Sequence, residues 1–225
     1  MELAILHADN HLLAVAKPAG VPCVPDSSGD ESLLDLARAW VKREKGKPGA
    51  VYLGVVHRLD RPVSGVVVFA RTSKAAARLT AAFKTRDVEK TYLGVSASEP
   101  REAEGAVEQW LVKDGERNVV RAVASERKGA LHARTRYRVL ARAGAGRALR
   151  VLVELRPETG RPHQLRVAMA SLGCPLLGDL KYGARAALAD KSIALHAREL
   201  ELPHPTRAER LRIACEPPRD ALWSF

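Results

Sequence analysis

The chain has 225 residues, 46% of them hydrophobic, with 37 Lys and Arg against 26 Asp and Glu and a formal net charge of +11. That length and apolar content suit one well-packed domain spanning residues 1–225 and argue against wholesale disorder. No apolar run approaches a membrane span, the start has no basic signal-peptide region, and three scattered cysteines (Cys23, Cys174, Cys215) form no zinc or disulfide pattern; a cytoplasmic protein with a polyanionic partner is expected.

Ile5, Leu6 and His7, then Leu12, Leu13, Ala14, Val15 and Ala16, read as two short strands around a turn at Asp9-Asn10. Lys17-Pro18-Ala19-Gly20 breaks the second, and residues 21–30 read as loop. Asp30 is placed to cap a helix in which Leu33, Leu36, Ala37, Trp40 and Val41 recur at helical spacing before a basic tail over 42–47. Residues 66–70 are apolar on both faces and read as a central strand. Thr72 or Ser73 then caps a helix whose stripe is Ala75, Ala76, Leu79, Ala82 and Phe83.

Residues 90–95 alternate, and Tyr92 points into an open face or cleft if Thr91, Leu93 and Val95 are core. Residues 131–139 alternate more strictly, with Leu131, Ala133, Thr135, Tyr137 and Val139 on one side and His132, Arg134, Arg136 and Arg138 on the other; Leu149, Val151, Val153 and Leu155 repeat the pattern. A last helix starts near Pro162, with Leu165, Ala168, Met169 and Leu172 as its stripe and Gly173 and Pro175 as its stop. Short strands follow over 193–197 and 211–214. Many strands with few helices make the fold class α+β.

Four places could carry chemistry. The first is His57-Arg58-Leu59-Asp60-Arg61-Pro62, followed by Ser64-Gly65 and the central strand. An aspartate between two arginines should stay charged, ready to serve as nucleophile, base or charge stabiliser, or simply to form a surface ion pair. The order His-Arg-Leu-Asp, with no matching asparagine and no D-F-G, excludes a protein-kinase loop. The second is the run 157–166, where His163 and Arg166 fall three apart on the expected helix and Gly160 and Arg161 precede an N-terminus able to bind anions. The third is Tyr92, and the fourth the arginine face of 132–138, which suits RNA contact or plain solvation.

Taken in order, these segments resemble the RluA-type pseudouridine synthases, enzymes that isomerise uridine in ribosomal or transfer RNA. ILHADNHLLAVAKPAGVP over 5–22 resembles the opening strands and K-P-x-G turn of that family, HRLDRPVSG over 57–65 its catalytic loop, and KTYL over 90–93 its tyrosine strand. RPETGRPHQLRV over 156–167 resembles its third motif, and GDLKYG over 178–183 the block that follows. Val63, Pro162 and Ala168 depart from the usual residues, none at a position carrying chemistry. The S4-like RNA-binding domain that opens many relatives is not expected, since the catalytic pattern begins almost at Met1.

The resemblance implies a large, mostly antiparallel central sheet with a cleft across one face, an RNA partner, a monomer, and neither cofactor nor metal. It implies Asp60 as the essential carboxylate, Arg166 as its charged partner, and Tyr92 as the residue that packs on the base and takes part in removing the C5 proton. It also implies Arg58 as the filler of the space left by the extruded uridine and Leu165 as an apolar wall. Arg61, Arg161 and Lys181 are implied as phosphate contacts. From other classes, a non-catalytic RNA-binding or RNA-folding protein would share the basicity, and a glycosidase would need a second carboxylate beside Asp60, which the matched motifs are not expected to supply.

Overall fold

The computed structural model describes residues 3–46, 49–124 and 128–225; Lys47, the end of the expected basic tail, lies outside them. In chain order the elements are β1 (Ile5–Ala8), β2 (Leu12–Lys17), α1 (Leu33–Lys45), β3 (Gly54–Val55), β4 (Ser64–Ala70), α2 (Ser73–Thr85), β5 (Glu89–Ser96), β6 (Glu104–Asp114), β7 (Val119–Val123), β8 (Leu131–Ala143), β9 (Arg150–Pro157), α3 (Gln164–Ser171), β10 (Leu195–Pro203) and β11 (Arg210–Ala214). They group into two compact units, Met1–Glu89 with Ala197–Pro217, and Lys90–His196 with Pro218–Phe225. Strands paired antiparallel and three α-helices make an α+β fold, as the sequence implies.

In the first unit the strand order is β1-β2-β4-β10, with β3 on β4 and β11 on β10. All seven residues of β4 are buried, as an apolar run without alternation requires. Ala75, Leu79 and Ala82 of α2 cover the face that presents Leu12, Ala14, Val66, Val68 and Ala70. Thr72 caps α2 by accepting the Ala75 N–H. α1 begins differently from the expectation. Its cap is Ser32, not Asp30, because Ser32 and Asp35 satisfy each other's backbone N–H groups in a capping box; Asp30 instead pairs with Arg61.

In the second unit the order is β5-β9-β8-β6-β7, every pair antiparallel. β6 and β7 have no counterpart in the sequence reading. Much of both is exposed, so neither shows the apolar run or clean alternation that marks a half-buried strand. α3 starts at Gln164, later than the expected Pro162, and His163 is its N-cap in the left-handed region at φ 51°. Six consecutive residues, Gln164 to Met169, are buried instead of a single stripe. Polar Gln164 is accommodated because its amide donates to Arg134 O and Thr135 Oγ1 and accepts from Thr159 Oγ1 and the Arg161 N–H.

The turn after β1 is tied to the turn after β10 through one carboxylate. Asp9 Oδ1 accepts the N–H groups of His11 and Leu12 at 2.7 and 2.8 Å, and Oδ2 accepts from His204 Nε2 at 2.8 Å and Arg207 at 2.6 Å. His204 Nδ1 accepts the N–H groups of Thr206 and Arg207, which fixes its tautomer. Burial pushes the Asp9 pKa up, but hydrogen bonds from His11, His204, Leu12 and His7 outweigh it and hold the carboxyl well below the usual range. Because the folded value is depressed, its stabilisation is present above the unfolded pKa of about 3.9 and is lost as pH falls below it. Asp9→Asn therefore lowers the melting temperature at pH 7, and the gap between variant and wild type narrows in thermal melts taken below about pH 4.

Candidate active site

Asp60 sits half-buried in the segment joining β3 to β4, and the backbone around it is bonded at Leu59, Asp60, Arg61 and Val63. The Val63 N–H donates to Asp60 O at 3.0 Å and closes a tight turn through Arg61 and Pro62. Beneath the turn lies Lys17, 1% exposed. Its ammonium donates to Val63 O at 2.6 Å and to Arg61 O and Pro18 O at 3.0 Å each, matching three donors to three carbonyls. Burial lowers the Lys17 pKa to about 8, although the charge on Asp60 is among those pulling it up.

Other bonds complete the clasp. Gly20 N–H donates to Arg61 O at 2.8 Å, and Arg61 Nε returns a bond to Gly20 O at 2.8 Å while its far nitrogen pairs with Asp30. Cys23 Sγ accepts the Leu59 N–H and donates to Leu59 O, and burial pushes its thiol pKa up. The ring of His57 accepts the Val68 N–H at 2.9 Å and stacks on Phe83 with centroids 4.7 Å apart. Gly65 leaves the loop at φ 121°; a Cβ there would lie 2.2 Å from Ala197 O, so no other residue fits.

The second unit builds a different centre around Arg166, 6% exposed on α3. Its Nε and Nη2 donate to Asp179 Oδ2 and Oδ1 at 2.8 and 2.7 Å, a bidentate pair in which Asp179 is 1% exposed. The guanidinium lies 4.9 Å over the Tyr182 ring. Tyr182 Oη accepts the Val120 N–H at 2.8 Å and is hydrogen-bonded to His163 Nδ1 at 2.6 Å. His163 and Arg166 thus meet on Tyr182 although His163 is not itself helical.

Tyr92 on β5 is half-buried and opposite Leu155, which is opposite Tyr137. Directly opposed residues share a face, and α3 covers this one, since Gln164 bonds Thr135. Tyr92 therefore lies on the face of the sheet that carries Leu155 and Tyr137. The open face is the arginine one. There Glu158 pairs with Arg134 and Arg136, and Glu154 with Arg138 and Arg156, a solvated ladder in which each of these four arginines has a carboxylate partner.

Of the other sequence candidates, Arg58 is exposed on the Asp60 loop and Arg61 is its clasp. In the second unit, Leu165 is buried on α3, Arg161 Nε donates to His132 O, and exposed Lys181 reaches Asn118 O. The sequence assigns no role to Lys17, Cys23, Asp179 and Tyr182. The K-P-x-G and G-D-x-K-Y-G blocks contain three of them, and an isolated lysine closing an apolar strand was a further signal. The matched motifs do hold further carboxylates, Glu158 and Asp179, contrary to the expectation; both are engaged by arginines. Among the described residues, no group of three His, Cys, Asp or Glu is placed to hold a metal ion, and no helix is long and apolar enough to cross a membrane.

Asp179→Asn puts an amide where the buried guanidinium needs a carboxylate and is expected to cost about 3 kcal/mol of stability, read from denaturant unfolding. Arg166→Met combined with Asp179→Leu, which removes both charges, recovers much of that loss.

The family model described as RNA pseudouridylate synthase matches residues 11–171. The chain is 34% identical over 99% of its length to ribosomal large subunit pseudouridine synthase D of Pseudomonas aeruginosa, covering 71% of that protein. It is 36% identical over 90% of its length to dual-specificity RNA pseudouridine synthase RluA of Escherichia coli (strain K12), covering 88% of that protein. Across its curated relatives it spans from about two thirds to nearly nine tenths of their length. The solved structure of human RNA pseudouridylate synthase domain containing 4 superposes with a TM-score of 0.79 at 29% identity, over 96% of this chain and 89% of that one. These matches do not favour a non-catalytic binder: the chain belongs to the RNA pseudouridylate synthase family and is an isomerase that converts uridine in RNA to pseudouridine.

Proposed function

We propose that this chain modifies specific uridines in ribosomal or transfer RNA, with Asp60 as the essential carboxylate, Tyr92 as the base for the C5 proton and Arg166 as the charged partner of Asp60. The activities for which the relatives are named, one on the large ribosomal subunit and one of dual specificity, support that substrate class. The observation that carries the site assignment is the turn at Asp60, whose flanking carbonyls at Arg61 and Val63 are bonded by Lys17. A carboxylate on such a turn is preorganised for reaction at a single carbon.

In the reaction the C1′–N1 bond breaks, the uracil turns, a C1′–C5 bond forms, and the proton on C5 is replaced by one on N1. The balance needs no oxidant, reductant or donor group, so the proposal includes neither cofactor nor metal. Asp60 acts either by attacking C1′ or by removing the C2′ proton to give a glycal. The target must leave its stack, at a cost of a few kcal/mol; Arg58 fills the space, Leu165 walls the base, and Arg61, Arg161 and Lys181 bind phosphates. The protein works as a single catalytic domain, a monomer in the cytoplasm.

Tritium release from RNA labelled at uridine C5, with tRNA and rRNA assayed separately, tests this reading. Asp60→Asn is expected to bind RNA and release nothing; turnover near wild type in that variant refutes the assignment. Tyr92→Phe is expected to bind RNA and to slow release by about 10²–10⁴-fold, the usual worth of a general base. Normal release from that variant leaves Tyr92 a stacking role alone.

A further inference from the structure

From Arg61 to Arg86 the chain contains Arg61, Arg71, Lys74, Arg78, Lys84 and Arg86 and no acidic residue. Four of these cations belong to α2 and its C-cap. The inner face of the helix is buried through Ala75, Leu79 and Ala82. Lys74, Arg78 and Lys84 are exposed on the outer face, with Ala77 and Ala81 between them. At 3.6 residues per turn the three fall within about a third of the circumference, and at 1.5 Å per residue they span about 15 Å. The alanines leave that surface low, so a polyanion can approach the helix closely.

Two of the cations sit where helix stability disfavours them. Lys74 occupies the first turn, which holds no acidic residue, at the positive end of the helix dipole. Arg86 is the C-cap at φ 64°, in the left-handed region; α1 fills the equivalent position with Gly46 at φ 57°. Among the described residues, Lys74, Lys84 and Arg86 form no ion pair. The first acid after the helix, Asp87, is taken by Arg210 at 2.7 Å. The compensated arginine ladder on β8 and β9 is the opposite case.

The inner side of the same helix touches the catalytic loop, through Phe83 stacked on His57. The outer face is thus one helix diameter, about 10–12 Å, from the head of the loop that carries Asp60. We propose that the outer face of α2, through Lys74, Arg78, Lys84 and Arg86, docks the phosphate backbone of the substrate RNA away from the target nucleotide. This rests on the RNA-isomerase reading. A bilayer is disfavoured because the outer arc carries no large apolar side chain to insert, and an acidic protein because it carries no aromatic anchor.

The test is RNA affinity measured across a salt series with tRNA and with rRNA, for wild type and for Lys74→Gln/Lys84→Gln/Arg86→Gly. Each lost phosphate contact lowers the slope of log K against log salt by about 0.7–0.9, so the triple variant should lose about 2–3 units of slope and raise KM more than it lowers kcat. Arg86→Gly alone should melt higher than wild type yet bind RNA more weakly, a combination that a structural role for Arg86 would not produce. Arg136→Gln/Arg138→Gln, on the compensated ladder, should leave the slope near wild type. An unchanged slope in the triple variant, or α2-dependent binding to phosphatidylserine vesicles without α2-dependent binding to RNA, overturns the proposal. Tritium release by wild type on the same RNAs separates the two claims: release with an unchanged slope sinks the docking surface alone, whereas an α2-dependent slope without release sinks the isomerase reading.

Discussion

A buried ammonium is the constraint around which the Asp60 loop is built. Lys17 is almost fully enclosed, and an enclosed charge is tolerated only where its donors are matched. The three carbonyls that match them belong to Pro18, Arg61 and Val63, so burying Lys17 and shaping the turn that presents Asp60 are one event. Register makes this unavoidable. Lys17 ends β2 opposite Gly65, and β2 is locked to β4 by buried apolar pairs from Leu12↔Ala70 to Val15↔Val67. A slip of one residue would carry the ammonium away from the carbonyls of Arg61 and Val63.

Arg166 is organised by the same logic with the charges exchanged. A bidentate carboxylate, an aromatic face and a hydroxyl anchored by Val120 and His163 restrict the guanidinium to one pose. Lysine could not reproduce two parallel bonds to Asp179, nor stack as a plane on Tyr182. The turn that carries Asp60 and the Arg166 guanidinium are thus each fixed by a buried, oppositely matched partner, Lys17 for the one and Asp179 for the other.

The positive charge of the chain is unevenly used. On β8 and β9, Arg134, Arg136, Arg138 and Arg156 each hold Glu154 or Glu158. On α2 the cations have no carboxylates beside them, and two stand at positions that a helix built only for stability would give to an acid and a glycine. Composition reports the sum of these regions, whereas function depends on which of them is left uncompensated.

Local physics made much of this legible in the sequence. The apolar run at 66–70, the stripe and cap of α2, the alternation of β8 and β9 and the ordered motifs around Asp60, Tyr92 and Arg166 are properties of neighbouring residues, and they determined the α+β class and the family. Where a choice depended on distant partners the sequence was silent or misleading. Ser32 and not Asp30 caps α1, because only Ser32 can close a capping box with Asp35; β6 and β7 existed only by pairing with β8 and with each other. Local periodicity thus determined which residues form helices and strands and which motifs they carry. Only the tertiary structure decided that Lys17 closes the Asp60 turn and Asp179 holds Arg166, because each buried charge must find its partner across tens of residues or on a separate element, and no local pattern encodes that distance.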